Sequence, residues 1–429
     1  MEHRLLLVLA ALTALISCGP RPPAATDFPH YAFRTSTTLE LMRVERTDTA
    51  TLFRMRAYYI PGWWFQIDSL TCLRAGERRF RLHGASGIVP GRREYIGEEQ
   101  QPGEGFRDFV LYFDPLPRDV ERCDFIEGDS AAGFHFYGID LTGRPVRLVE
   151  EPAGEGYPER LPEGCTEPGF TTLRVHIPLS VSDPFLNGTV LAEPRRTGQL
   201  EMTSFRFDRD GVGTVRFRQR QTSRVQVILG SHAAAVSLWT RPGETADIYW
   251  IPDNRSLTVS RFGLLEEPVP ALRFEGAYAA VNTRYGRIPR YRLDLDDPAF
   301  VRGIRSGAGY ADLIRAQYEG QRASLESDTG LTPLQRDLAE VLLKGDVVKA
   351  VCTAGEILRL SYTLEHGTDA GFLPPAFAED DFAWLAALDL SDSRMLFSEA
   401  AEYLSCPAVR KYTSRTSHAY KTETLYPAL

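Results

Sequence analysis

Apolar and polar residues alternate along residues 52–59, where Phe53, Met55, Ala57 and Tyr59 are separated by Arg54, Arg56 and Tyr58. That two-residue period marks a strand with one buried face. Pro61-Gly62 breaks it before Trp63, Trp64, Phe65 and Ile67. Phe109, Leu111 and Phe113 restore the alternation until Pro115 and Pro117 end it, and an aromatic run from Phe134 to Leu141 follows. Short strands punctuated by turn residues predict an antiparallel β-sandwich-like domain over residues 36–147. Residues 148–169 are rich in Pro, Gly and Glu and predict a linker. Alternation resumes with Leu173 to Ile177, Phe205 and Phe207, Val215 and Phe217, and Val225, Val227 and Leu229, predicting a second β-sandwich-like domain over 170–262.

From residue 263 the period becomes helical, and a helical segment is expected over 263–410 with a polar tail over 411–429. Tyr310, Ile314, Tyr318 and Leu325 share a helical face that Ser306-Gly307 could start. Thr332-Pro333 supplies an N-cap followed by Pro at the first helical position. Leu334, Leu338, Val341 and Leu342 then form an amphipathic stripe, with an interruption expected at Gly345-Asp346 and a further stretch running to about Leu364. Another helix is expected from Glu379 to Leu388, with Phe382, Leu385 and Leu388 inward. The fold class expected is therefore multidomain β plus α.

The N-terminus departs from both periods. His3 and Arg4, an apolar run from Leu5 to Ile16, and Leu15-Ile16-Ser17-Cys18 form a lipoprotein signal peptide over 1–17, with lipidated Cys18 as the mature first residue. The run is too short to span a bilayer, so acyl chains on Cys18 are expected to hold the protein at a membrane. Residues 18–35, containing Gly19, Pro20, Pro22 and Pro23, are expected to be an extended tether. Gly19, where Asp argues for inner-membrane retention in many bacteria, favours the outer membrane of a bacterial cell envelope.

The 49 basic and 57 acidic residues leave a net charge of −8, which argues against nucleic acid as a partner and against a polybasic membrane patch. After Cys18, the remaining thiols are Cys72, Cys123, Cys165, Cys352 and Cys406. None forms a CxxC or a zinc spacing, and small buried thiols are the expected reading, with Cys72 and Cys123 the pair most suited to share a domain. Asp208-Arg209-Asp210-Gly211 lacks the spacing and distal Glu of a calcium loop and reads as a hairpin turn. Gly84-Ala85-Ser86-Gly87 and Gly128-Asp129-Ser130-Ala131-Ala132 do not complete a nucleophile elbow. Asp294, Asp296 and Asp297, and likewise Asp380 with Asp381, sit where acidic residues cap helices. No catalytic residue, metal site or cofactor motif is therefore assigned. Tyr58, Trp63 and Trp64 are the aromatic concentration suited to stack on a ligand, and two adjacent Trp on a strand are expected to point to opposite faces.

The runs Tyr59-Ile60-Pro61-Gly62-Trp63-Trp64, Phe113-Asp114-Pro115-Leu116-Pro117 and Cys123-Asp124-Phe125-Ile126-Glu127-Gly128-Asp129, followed by Gly138-Ile139-Asp140-Leu141, carry a resemblance. Together with Phe274-Glu275-Gly276-Ala277-Tyr278 and Asn282, they resemble bacterial envelope lipoproteins in which two β domains and a helical segment precede a thioredoxin-like thiol-disulfide oxidoreductase domain. The resemblance covers most of residues 36 to 400. It implies the architecture above and transfers no catalytic residue, because this chain has no CxxC and only a short stretch after Arg410 where that domain needs on the order of 100 residues. Two functions are expected from different classes. The first is a lipid-anchored, non-catalytic binding or scaffolding module with an envelope protein or glycan partner. The second is a component or truncated member of a thioredoxin-like oxidoreductase system.

Overall fold

The computed structural model describes residues 22–36, 38–58, 62–95, 105–129, 133–144, 158–177, 186–192, 201–229, 235–250, 272–285, 288–289, 291–293, 301, 304, 306–378, 380–398 and 400–412. The expected signal peptide, Cys18, Tyr59 and the Asp294, Asp296 and Asp297 cluster lie outside them. The described chain is β-rich, with mostly antiparallel sheets and a smaller set of helices.

The first region contains β1 (Ala25–Asp27), β2 (Phe33–Arg34), β3 (Leu39–Arg46), β4 (Thr51–Tyr58), β5 (Trp64–Phe65), β6 (Cys72–Ala75), β7 (Arg78–Ser86), β8 (Glu94–Tyr95), β9 (Phe106–Phe113), β10 (Arg122–Ile126) and β11 (His135–Asp140). Nine of these strands form one sheet in the order β1-β3-β4-β9-β7-β6-β10-β11-β2. β7 is its hinge. Residues 78–81 pair with β6, residues 82–86 pair with β9, and the register slips between Leu82 and Gly84. A bulge of this kind bends the strand and increases its twist. The alternation read in the sequence then fills the space between the two halves. Phe53, Leu111 and Phe113 from one half are fully buried, as are Phe125 and Ile139 from the other. The Phe125 ring lies 6.2 Å from both Phe53 and Phe113, within range of favourable aromatic pairing.

The tether expected over 18–35 is corrected from Ala25 onward. β1 pairs with β3 and β2 pairs with β11, so one short stretch supplies both edges of the nine-stranded sheet. Exposed edges invite association with other chains, and covering them is a common remedy. Arg46 secures this stretch from within. Only 3% exposed, it donates to the carbonyls of Pro23, Val120 and Leu141.

The second region has β12 (Gly169–His176), β13 (Asn187–Ala192), β14 (Glu201–Arg206), β15 (Val212–Gln219), β16 (Ser223–Leu229), β17 (Ala235–Thr240), β18 (Thr245–Trp250) and β19 (Leu272–Glu275). These form two four-stranded sheets, β15-β12-β18-β19 and β14-β13-β16-β17, with β12 and β18 the parallel neighbours. Leu173, Val175, Val190, Val227 and Ile248 meet in a common core. That core does not stop at the boundary between regions. Phe33, Cys72, Ile126 and Tyr137, from the outer face of the first sheet, belong to it, and the Phe33 ring lies 5.7 Å from that of Trp250. Strands β10 and β11 are thus buried on both faces.

Cys72 and Cys123 share the first region but cannot meet. Cys72 pairs with Ile126, three residues along β10 from Cys123, and an odd offset sends the two side chains to opposite faces. Cys72 lies in the core shared with the second region and Cys123 in the core between the folded halves.

The helices are α1 (Ala279–Tyr285), α2 (Gly307–Ser327), α3 (Pro333–Cys352), α4 (Ala354–His366) and α5 (Pro407–Arg410). Ser306 caps α2 through its hydroxyl, and Thr332 with Gln335 forms a capping box on α3. The interruption expected at Gly345-Asp346 does not occur. α3 runs on to Cys352, and Gly345 is buried under the Ser398 side chain, which leaves no room for a Cβ. The helix expected over 379–388 is a 3-10 turn at Ala383–Leu388, in keeping with the three-residue spacing of buried Phe382, Leu385 and Leu388. Further 3-10 turns at Ser393–Phe397 and Ala401–Ser405 complete this wall.

Of the segment read as a linker, residues 158–169 are packed rather than free. Leu161 is buried in the helical core, Asp337 accepts from Arg160 Nε at 2.7 Å and from Leu161 N, and Cys165 exchanges hydrogen bonds with Thr222. A Pro-rich stretch lacks ladder partners, so side-chain caps of this sort hold it down. The helical core also receives Trp239 from edge strand β17. The Asn282 amide accepts from Trp239 N at 2.7 Å and donates to Trp239 O at 3.0 Å, closing that edge. Asn282→Ala leaves both backbone groups without this partner beside a buried ring. It is expected to destabilise the protein by about 2–4 kcal/mol, measured by urea unfolding followed through tryptophan fluorescence.

Candidate functional site

Two short strands build the platform. β5 and β8 pair as a separate ribbon with Trp64 opposite Tyr95 and Phe65 opposite Glu94. Alternation sends Phe65 inward, 2% exposed and 5.5 Å from the Phe109 ring, and leaves Trp64 and Tyr95 outward. Trp63 precedes the strand and escapes the alternation. The two indoles expected on opposite faces are therefore both exposed, at 48% for Trp63 and 42% for Trp64. Gly87, just after β7, lies against β9. Its φ is +86°, and a Cβ would meet the Asp108 carbonyl at 2.8 Å.

Arginines interleave with these rings. The Arg93 guanidinium lies 4.2 Å from the Trp64 ring centroid, within cation–π range. Arg107 donates to the Tyr95 carbonyl at 3.0 Å and so links the ribbon to β9. One residue away, exposed Phe106 faces Tyr58 across the β4–β9 ladder, with ring centroids 6.3 Å apart. Arg56 stacks 4.0 Å from Phe106 and is paired with Asp108 through two hydrogen bonds of 2.6 and 2.8 Å. That carboxylate raises the Arg56 pKa further above its ordinary value. Tyr58 is half-buried and donates to Glu40 at 3.1 Å. Burial raises the Glu40 pKa, against the hydrogen bond from Tyr58.

The structure thus brings Trp64, singled out from the sequence with its neighbour Trp63, together with Tyr95, Arg93 and Arg107, whereas Tyr58 shares the opposite face of the β4–β9 ladder with Phe106 and Arg56. Tyr95 and Phe106 were missed because they look like isolated aromatics at strand ends. The one available signal was that both flank the same run of residues 96–105. Exposed flat rings with adjacent guanidinium groups can stack on a planar or sugar-like ligand and meet its polar or acidic substituents.

Other candidates take part in local hydrogen bonds. Asp208 Oδ1 accepts from the amides of Asp210 and Val212, making a hairpin turn between β14 and β15. Asp381 accepts from Ala378 N, while Ser86 accepts from the Tyr112 hydroxyl. Ser130 lies outside the described residues. On the outer face of the second region, Asp247 is held by Arg174 at 2.7 Å and His176 at 2.6 Å. Burial pushes its pKa up, but these two hydrogen bonds prevail and hold it below the usual carboxylate range. Among the described residues, no group of three or more His, Cys, Asp or Glu side chains is placed to hold a metal ion.

No protein-family model matches the sequence, and no curated protein matches it. Two solved structures show slight similarity. Pullulanase complexed with maltotriose from Anoxybacillus sp. LM18-11 has 14% identity and a TM-score of 0.17, over 42% of this chain and 22% of that one. Pullulanase type I from Bacillus subtilis str. 168 complexed with maltose has 10% identity and a TM-score of 0.17, over 45% and 24%. The matches span less than a quarter of either pullulanase. Similarity this slight transfers neither fold nor activity.

Glu127 is a buried carboxylate of the first region. Its carboxylate accepts from Asp68 N at 2.9 Å and Phe134 N at 2.6 Å, joining the loop after β5 to the turn before β11. Burial raises its pKa to about 7 from 4.5, against both amide hydrogen bonds. The folded state therefore binds the proton more tightly than the unfolded chain, and this group's stabilisation, full below pH 4.5, is lost as pH rises towards about 7. Glu127→Gln is expected to flatten that part of the stability profile, read as denaturation midpoints at intervals across the window.

Proposed function

We propose that this chain is a non-catalytic binding module of two β-sandwich-like domains followed by a C-terminal helical segment, and that its ligand is a glycan. It is held by a lipidated Cys18 at the outer membrane of a bacterial cell envelope. The observation that carries the binding reading is the exposure of three large rings on one short ribbon and its entry, Trp63 at 48%, Trp64 at 42% and Tyr95 at 55%. Large exposed apolar groups clustered with polar ones mark interaction sites more often than chance placement does. Trp faces suit the C–H faces of sugar rings, and Arg93 and Arg107 suit hydroxyl or uronic acid groups. The two-sheet layout of residues 169–275 and the folded sheet before it support the domain reading. The signal pattern ending at Cys18 supports the anchored reading, with an envelope protein as the other partner class. Among the described residues no helix is long and apolar enough to cross a membrane.

A second reading, a component or truncated member of a thioredoxin-like oxidoreductase system, is favoured by one observation: the thiols of Cys352 and Cys406 lie together. Burial, and then the neighbouring thiol, raise the Cys352 pKa, which makes it a poor nucleophile. Insulin reduction by the purified protein, lost on substituting Cys352 or Cys406, would favour this reading over the first.

The binding reading is tested by titrating the full-length chain with soluble neutral and uronic-acid oligosaccharides while following tryptophan emission. Saturable quenching is expected with at least one sugar class, weakened about tenfold or more in Trp63→Ala/Trp64→Ala. No saturable signal from any sugar, or equal affinity in the double variant, sinks the glycan reading. Saturation by acidic peptides alone would move the site to protein partners.

A further inference from the structure

Cys352 is the last residue of α3, and Cys406 immediately precedes α5. Between them the chain passes through α4 and the three 3-10 turns, then returns to lie against α3. The Tyr403 carbonyl measures the approach. It accepts from the Cys406 amide at 2.8 Å and from the Cys352 thiol at 3.4 Å, so one oxygen touches both residues. The Cys406 thiol is also near enough to raise the Cys352 pKa. Both are half-buried, within reach of a small reagent.

We infer that Cys352 and Cys406 form an intramolecular disulfide that fastens the C-terminal wall to α3. This goes beyond the binding reading and does not depend on it. Bridging requires Cβ atoms about 3.8 Å apart and a bond of about 2.05 Å, and the Tyr403 carbonyl, hydrogen-bonded to both residues, sets them side by side. The other described thiols have no such neighbour to exchange with. Cys72 and Cys123 face different cores, and Cys165 donates to the Glu167 carbonyl at 3.7 Å.

The chemistry balances with a small-molecule disulfide such as glutathione disulfide as oxidant. One cysteine thiolate attacks a sulfur of the oxidant, expels one thiolate and leaves a mixed disulfide. The second cysteine thiolate then attacks the protein sulfur of that mixed disulfide and expels the other half. Two protein thiols lose two electrons and two protons, and the oxidant becomes two thiols. The bond closes a loop of about 50 residues, a length at which cross-linking restricts the unfolded chain substantially. Within and just beyond that loop lie Phe397, Leu404 and Val409, all buried in the helical core.

The test uses the full-length chain held in glutathione disulfide, quenched with one alkylating reagent, then denatured, reduced and treated with an isotopic form of the same reagent. The expected result is that Cys352 and Cys406 carry the second label in equal measure, with a cross-linked peptide pair before reduction. The intact mass is then about 2 Da lower and Tm several degrees higher than for the reduced protein. In Cys352→Ser, Cys406 is expected to yield only a glutathione adduct. First label on both residues after oxidation, glutathione adducts on each in the wild type, or a cross-link from either to Cys165 would overturn the inference. The peptide map on the wild-type chain decides the matter even if a variant fails to fold.

Discussion

The grip of one amide side chain on an edge strand holds the larger architecture together. Asn282 takes both backbone groups of Trp239 at the free side of β17, where an unclosed ladder would face solvent or another chain. Because that edge is fixed, the Trp239 ring can enter the helical core and pack 5.6 Å from Phe397, which in turn lies 4.8 Å from Tyr278. The Tyr278 hydroxyl reaches Thr222, which is bonded to Cys165 in the packed stretch before β12. Sheet, helices and connecting chain thus converge on one joint. A second joint, around Phe33, Tyr137 and Trp250, ties the first β region to the second, so adjacent units share buried surface instead of hanging from tethers.

How much of this was legible in the sequence depends on the length scale of the signal. Period-two alternation in residues 52–58 and 109–113 located strands whose inward residues are indeed buried, because one-sided burial leaves a local trace. Helix starts at Ser306 and Thr332 were legible for the same reason, since a cap is written within four residues. What failed was non-local. The reading of residues 25–34 as a tether and 158–169 as a linker rested on Pro and Gly content, and no composition shows that distant strands need those residues as partners. Gly345 misled likewise. A helix-weakening residue was retained because another segment packs against it, a tertiary demand that overrides propensity.

The aromatic platform was half legible. Adjacent Trp63 and Trp64 stood out, but the assumption that both lie on a strand sent one of them to the wrong side. The ribbon is only two residues long on each strand, and its pairing with Tyr95 crosses some thirty residues of chain. Asn282 and Tyr278 entered through resemblance alone, without a role, yet they form the joint on which the helical wall rests.

The shared strand β7 carries a consequence for how the first region responds to heat or denaturant. Its early residues are laddered to β6 and its later ones to β9, with both faces of the fold leaning on the same backbone. The two halves are coupled through one backbone, because the strand that closes one ladder continues into the other. Loss of either ladder therefore loosens a strand on which the other depends, and His83, with no ladder partner at the bulge, marks where the two ladders part.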